Sequence, residues 1–225
     1  MKLSTDTLSV LKNFASINSG IMFKKGKTLR TVSPQKNVMA EATVSDEFPT
    51  DFGVYDLNNF LSVLSLHKEE PTIDFQDNNV LISGLQGRSK IKYRFCAPHM
   101  IVVAPEKAIT MPDPEISFEL KAEDFDWIMK AAAVLSSPCV TIDSDGSKVF
   151  ISTYDPTNDA AHTDALEICD GNGTKYKMVF KLENIKMLPG SYDVKISSKG
   201  IGHFKHKTLN VQYWITTETD SKYGA

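Results

Sequence analysis

The chain has 225 residues, 41% of them hydrophobic and 9% aromatic, with a formal net charge of −3. That length fits one large domain or two of roughly 110 residues, and the apolar content suffices for packed cores. The charge excludes a protein that grips nucleic acid with its whole surface; any polyanion contact has to be local.

The charge is also unevenly divided. Residues 1–110 hold 13 basic and 11 acidic side chains (+2), and residues 111–225 hold 12 and 17 (−5). Cys96, Cys139 and Cys169 are too few and too far apart for a disulfide framework or a zinc spacing, which points to a reducing compartment. Asp6 and Lys12 interrupt the apolar residues of the N-terminus, so it does not read as a signal peptide. The longest apolar runs, such as Met100 to Pro105, are too short to span a bilayer.

In chain order, the spacing predicts a first helix from Thr5 to about Ile17, capped by Ser4 or Thr5. Leu8, Val10, Leu11, Phe14, Ala15 and Ile17 share its apolar side. Thr5, Ser9, Lys12, Asn13 and Ser16 share the other. Strands at Ile21–Phe23 and Leu29–Val32 flank a Lys25-Gly26 hairpin turn. A second helix, near Asp56 to Leu66, buries Leu57, Phe60, Leu61 and Leu64 and shows Asn58, Ser62 and Ser65. Strands at 72–75 and 80–82 flank Asp77-Asn78. A basic strand face follows, with Arg88, Lys90, Lys92 and Arg94 alternating with Ile91, Tyr93 and Phe95. It reads either as a solvated sheet face or as a phosphate-facing stripe.

Pro105, Pro112 and Pro114 stiffen a connector at about 105–115, because proline stays out of sheet interiors. A third helix, Ala122 to Leu135, buries Phe125, Ile128, Met129, Ala132 and Leu135 and shows Asp126, Lys130 and Ala133. Asp145-Gly146 marks a hairpin between strands at 140–142 and 149–152. Strands are also predicted at 176–181, 192–197 and 209–216. Between the first two of these lies a brief fourth helix that shows Lys186 and ends at Leu188, before Pro189-Gly190.

The helices open four related units, beginning at Leu3, Leu57, Leu120 and Leu182, which are 54, 63 and 62 residues apart. The expected fold is α+β: two similar domains, 1–108 and 109–225, each with two β-α-β-β-type halves. No catalytic cluster recurs with the units. Gly20 to Thr28 has five residues between its glycines instead of four, and a strand pattern follows where a phosphate loop needs a helix. Asp155, Asp159, His162 and Asp164 match no calcium-loop spacing. His203 and His206 are predicted on opposite faces of a strand, as poor joint ligands. Polar helix faces of serine, asparagine and sparse lysine suit weak, water-mediated phosphate contact that does not read sequence.

Met1 to Gly20, Tyr55 to Ser65, Lys121 to Asp124 and Pro189 to Val194 carry a family resemblance. The chain resembles the sliding clamps of the T-even bacteriophage type, the processivity factors of replication. The resemblance implies a homotrimeric ring of six similar domains around duplex DNA, with helices lining the hole and sheets outside. It implies a clamp loader that opens the ring with ATP, and a polymerase that docks through its C-terminal peptide. No cofactor, metal or membrane is implied, and the compartment is the cytoplasm of a bacterial host. Lys12, Lys130 and Lys186, with Lys2, are expected to face the DNA, although Asp126 shares their side. Ile109, Met111 and Pro112 are expected to border the pocket for the polymerase peptide. Two other classes stay open: a small nucleotide-dependent enzyme using Gly26-Lys27-Thr28, and a structural phage protein without a DNA role.

Overall fold

Apolar periodicity places the helices, and long-range pairing places the strands around them. The computed structural model describes residues 1–67, 71–107 and 109–224. The chain divides into two compact units, Met1–Lys107 and Ala108–Ala225. The expected domain boundary at 108 falls on a residue outside the described ones.

The first unit opens on α1 (Thr5–Ile17). The Ser4 hydroxyl accepts from the Thr7 amide at 3.2 Å, satisfying one of the free N–H groups of the first turn. Leu11 and Phe14 are fully enclosed, and each side chain buried in this way contributes about 1.5–3 kcal/mol. Leu8, expected on the apolar side, is only half-buried, and Thr7 takes the deeper place. Next come β1 (Ile21–Phe23), β2 (Gly26–Val32), β3 (Val38–Phe48) and β4 (Phe52–Val54).

The Lys25-Gly26 hairpin does not form. β1 pairs with β4 and β2 pairs with β3, so the chain changes partner at this bend. Gly26, at φ +116°, already stands opposite Phe48. Strand β3 spans 11 residues that the sequence did not announce as a strand. Its Ala40, Ala42 and Val44 point inward, and its Ser45, Asp46 and Glu47 give it poor strand propensity.

α2 (Leu57–Ser65) is capped by Asp56, whose carboxylate accepts from the Asn59 amide at 2.9 Å. It packs beside α1. β5 (Thr72–Gln76), β6 (Asn79–Gly84) and β7 (Ser89–Arg94) form an antiparallel meander, with Asp77-Asn78 as its first turn. An aromatic core joins the halves of this unit. The Phe23 and Phe52 rings stack at 4.3 Å, Phe52 meets Phe75 and Phe95, and Phe60 meets Tyr93.

The second unit runs β8 (Ile116–Leu120), α3 (Ala122–Val134), β9 (Cys139–Asp145), β10 (Lys148–Tyr154), β11 (Ala165–Asp170), β12 (Lys175–Lys181), β13 (Tyr192–Ser197), β14 (Ile201–His206), β15 (Val211–Thr216) and β16 (Lys222–Tyr223). One sheet is ordered β11-β10-β9-β12-β16. In the other, β8, β13, β14 and β15 pair in succession. α3 rests on β9, β10 and β11. It buries Phe125, Ile128 and Ala132, whereas Met129 and Leu135 are only half-buried.

The expected fourth helix, ending at Leu188, does not form. Only a 3-10 turn, Leu182–Asn184, forms there. The Tyr192 hydroxyl donates to the Leu188 carbonyl, and the Leu188 amide donates to the Tyr213 hydroxyl at 3.2 Å. Both tyrosines are fully buried. They hold residues 185–190 in an irregular path by taking backbone groups that a helix would need.

Candidate nucleic-acid interface

The exposed sides of the helices are short and polar. On α1, Thr5, Ser9, Lys12 and Ser16 are exposed and Asn13 is half-buried. On α2, Asn58, Asn59, Ser62 and Ser65 are exposed, with no cation among them. Several hydroxyls turn back onto their own helix: Ser16 donates to the Asn13 carbonyl at 2.6 Å, and Ser62 to the Asn58 carbonyl at 2.8 Å. Such hydroxyls keep acceptor capacity for water and offer little direct grip.

α3 differs. Lys130 is ion-paired with Asp126 at 2.6 Å, one turn earlier. A phosphate would have to compete with that carboxylate. Trp127 is 57% exposed, and its indole N–H donates to Asp164 at 2.8 Å. Val134 is 83% exposed. Neither apolar side chain was expected on this side, although positions 127 and 134 lie two helical turns apart and share a face.

Lys2 and Lys12 belong to the first unit, and both are exposed. Lys130 and Lys186 belong to the second. Lys186 is half-buried and lies beyond the short turn, not on a helix face. Its segment borders a cleft of about 480 Å³ whose walls include Phe125, Asp126, Met129, Ile185 and Met187. Lys130 and Lys186 are each next in sequence to a residue of its walls, Met129 and Ile185, but neither lysine lines it.

Ile109, Met111 and Pro112 are half-buried in an irregular stretch before β8. The preceding segment is tied down within the first unit. Glu106 pairs with Lys24 at 2.9 Å, and its carbonyl accepts from the Arg30 guanidinium. The hydrogen bonds to Glu106 and Asp51 push the Lys24 ammonium above its ordinary range. Met22, Arg30, Val103 and Pro105 enclose a small cavity there, of about 60 Å³. Sequence reading missed this cavity, because Lys24 and Arg30 lie more than 70 residues from Glu106.

Lys27 and Thr28 sit within β2, so no helix N-terminus meets the Gly26 bend. Asp155 accepts from the amide and hydroxyl of Thr157, which holds its carboxyl below the usual range and makes it a turn residue. His203 faces Gln212 at 2.9 Å, and His206 faces the Pro189 carbonyl at 3.2 Å. Among the described residues, no three metal-binding side chains converge. No helix among them is long and apolar enough to cross a membrane.

A duplicated β scaffold with small polar helix faces, and with its reactive side chains dispersed, defines a protein of the DNA-clamp class. Residues 4–103 match the family described as DNA polymerase processivity factor, and residues 117–219 match the gp45 sliding clamp C-terminal family. The chain is 35% identical over 229 residues to the sliding clamp of Escherichia phage RB69, covering 99% of each. It is 34% identical over 224 residues to that of Vibrio phage KVP40, covering 97% of this chain and 99% of the relative. It therefore belongs to the sliding-clamp family, the processivity factors of DNA polymerases. The fold agrees with solved clamps. PCNA from Thermococcus kodakaraensis superposes with TM-score 0.68 at 16% identity, covering 95% of this chain and 96% of that one. A. fulgidus PCNA, solved with the C-terminal region of FEN-1, gives 0.67 at 17%, covering 96% of each.

Proposed function

We propose that three copies of the chain close into a ring around duplex DNA and tether the replicative polymerase to it. The observation that carries this reading is the shared chemistry of α1 and α2, which show small polar side chains and few cations. Such a lining attracts phosphates weakly and through water, so the duplex is retained without being fixed in register. The ring has two clamp domains per chain, 1–108 and 109–225, with helices inward and sheets outward. Lys12, Lys130 and Lys186, with Lys2, face the duplex.

The protein acts as a scaffold without catalysis of its own. A clamp loader supplies the ATP-driven opening, and the site of action is the cytoplasm of a bacterial host. The polymerase docks its C-terminal peptide at an apolar pocket bordered by Ile109, Met111 and Pro112. Their half-burial leaves apolar surface for a short peptide, and Pro112 pre-orders the rim at low entropic cost.

Sedimentation equilibrium tests the ring, and retention on circular against linearised DNA tests encirclement. A trimer held on nicked circles and lost from linear duplex is expected. A monomer at all concentrations, or equal retention on both DNAs, refutes the reading.

A further inference from the structure

The exposed stripe of α3 breaks the pattern of α1 and α2. None of the exposed residues within α1 or α2 is a large apolar one. On α3, Trp127, Lys130 and Val134 stand at i, i+3 and i+7 and share one stripe. Trp127 is 57% exposed and Val134 83%.

A single exposed apolar side chain needs no explanation, but this indole is held in place. Its N–H donates to the Asp164 carboxylate at 2.8 Å. Asp164 is fixed in turn through both of its backbone groups. Its amide donates to the Thr153 hydroxyl at 2.8 Å, and its carbonyl accepts from the Thr153 amide at 2.9 Å. Thr153 is 2% exposed. The segment joining β10 to β11 therefore clamps the polar edge of the ring and leaves apolar ring surface in water.

The chemistry narrows what this surface meets. The indole has one donor, and it is spent on Asp164, so none is left for a base edge. Asp126 is engaged by Lys130 at 2.6 Å. Glu123, one turn before Trp127, bounds the stripe with a negative charge, which disfavours a phosphate at that end. Paired bases in a duplex are already stacked on one another and offer an indole no flat partner. The deoxyribose between successive phosphates offers uncharged C–H surface. A stripe that places a lysine between two apolar groups matches a backbone in which phosphate and sugar alternate.

We propose that Trp127 packs its ring on the deoxyribose of the encircled duplex, as an apolar contact that adds retention without reading sequence. The stripe is continuous with Lys130, and the inference rests on the ring reading that turns Lys130 to DNA. Phosphate contacts release counterions and depend steeply on salt. An indole on sugar buries apolar area and releases none, so it strengthens binding equally at every salt concentration.

The test combines acrylamide quenching of tryptophan fluorescence with duplex binding at several salt concentrations, on the full chain. Trp214 is 6% exposed, so the quenchable signal belongs to Trp127. A short duplex that threads the ring by its ends is expected to protect that signal. Trp127→Ala should weaken duplex binding about three- to ten-fold, with the log–log salt slope and the melting temperature unchanged. Trp127→Phe, which keeps a flat ring, should bind close to the parent. Retention on nicked circles with equal quenching in the presence and absence of DNA overturns the proposal and leaves the ring reading standing. Protection that appears with rising protein concentration alone also overturns it, because Trp127 then serves contact between copies. So does a changed salt slope in Trp127→Ala, which assigns the loss to phosphate contacts. Loss of retention on circles, with no protection by duplex, refutes the ring reading and this inference together.

Discussion

The Asp46 carboxylate holds Ser4 through one oxygen: Oδ2 lies 2.8 Å from both the Ser4 amide and the Ser4 hydroxyl. The residue that caps α1 is thus fastened by β3, 42 positions along the chain. This contact sets where the first polar helix face begins, and with it the position of Lys12.

Removing the cap with Ser4→Ala is expected to cost about 1 kcal/mol in urea unfolding, because the Thr7 amide loses its acceptor. Burial pushes the Asp46 carboxyl upward, but hydrogen bonds from Thr7 and Ser4 outweigh it and hold the group below its ordinary range. A lowered folded value means that this stabilisation is complete above the ordinary carboxylate pKa and is lost as pH falls through the folded value. Asp46→Asn should therefore be less stable than the parent at neutral pH, and the difference should shrink below about pH 4. Urea midpoints across that range measure it.

Asp143 has the opposite sign. Burial on the outer face of β9 raises its carboxyl, against hydrogen bonds from Thr141 and Ser152 and the nearby Lys177 charge. Its Oδ1 is buried without a partner. A raised folded value means that the native state binds the proton more tightly, so stability falls as pH rises through the folded value. Asp143→Asn is expected to be more stable than the parent at neutral pH, with the gain fading below about pH 4. Parallel thermal melts would reveal an absent or inverted trend.

Because Lys130 is neutralised by Asp126, Asp126→Asn should tighten DNA binding. One added phosphate contact steepens the log–log salt dependence by about 0.9. Fold stability should move by no more than about 0.5 kcal/mol, as befits an exposed ion pair. Anisotropy with a short duplex at several salt concentrations separates this outcome from no change.

The triple variant Lys12→Glu/Lys130→Glu/Lys186→Glu should shorten the products of processive synthesis on every template alike, because phosphate contacts carry no base information. Product lengths on primed templates of different sequence check it. Unchanged lengths would remove these lysines from the DNA path.

Gly202→Ala should destabilise the second unit by about 1–3 kcal/mol through overpacking. A Cβ there would lie 2.9 Å from the Phe180 ring, which is 1% exposed and has no room to retreat. A melting temperature lowered by several degrees is the expected result, at about 2–4 °C per kcal/mol.

α1, α2 and α3 were legible in the chain alone, with the Ser4 cap of α1 and most of the buried faces. A 3.6-residue apolar stripe and a capping side chain act within a few residues of the chain. The chain also determined the Asp77-Asn78 and Asp145-Gly146 hairpins, where turn chemistry is local, and the alternating faces of β7. The remainder depended on contacts made at long range. The tertiary structure gave β1 and β2 different partners, made a strand of the alanine-containing 38–48 segment, and let Tyr192 and Tyr213 replace a fourth helix with an irregular path. It also left the Asn79 oxygen buried without a hydrogen-bond partner. In each case the deciding group lies far along the chain or in another strand. Periodicity carries local preference, and the hydrogen bonds that override it depend on which distant residues the fold brings together.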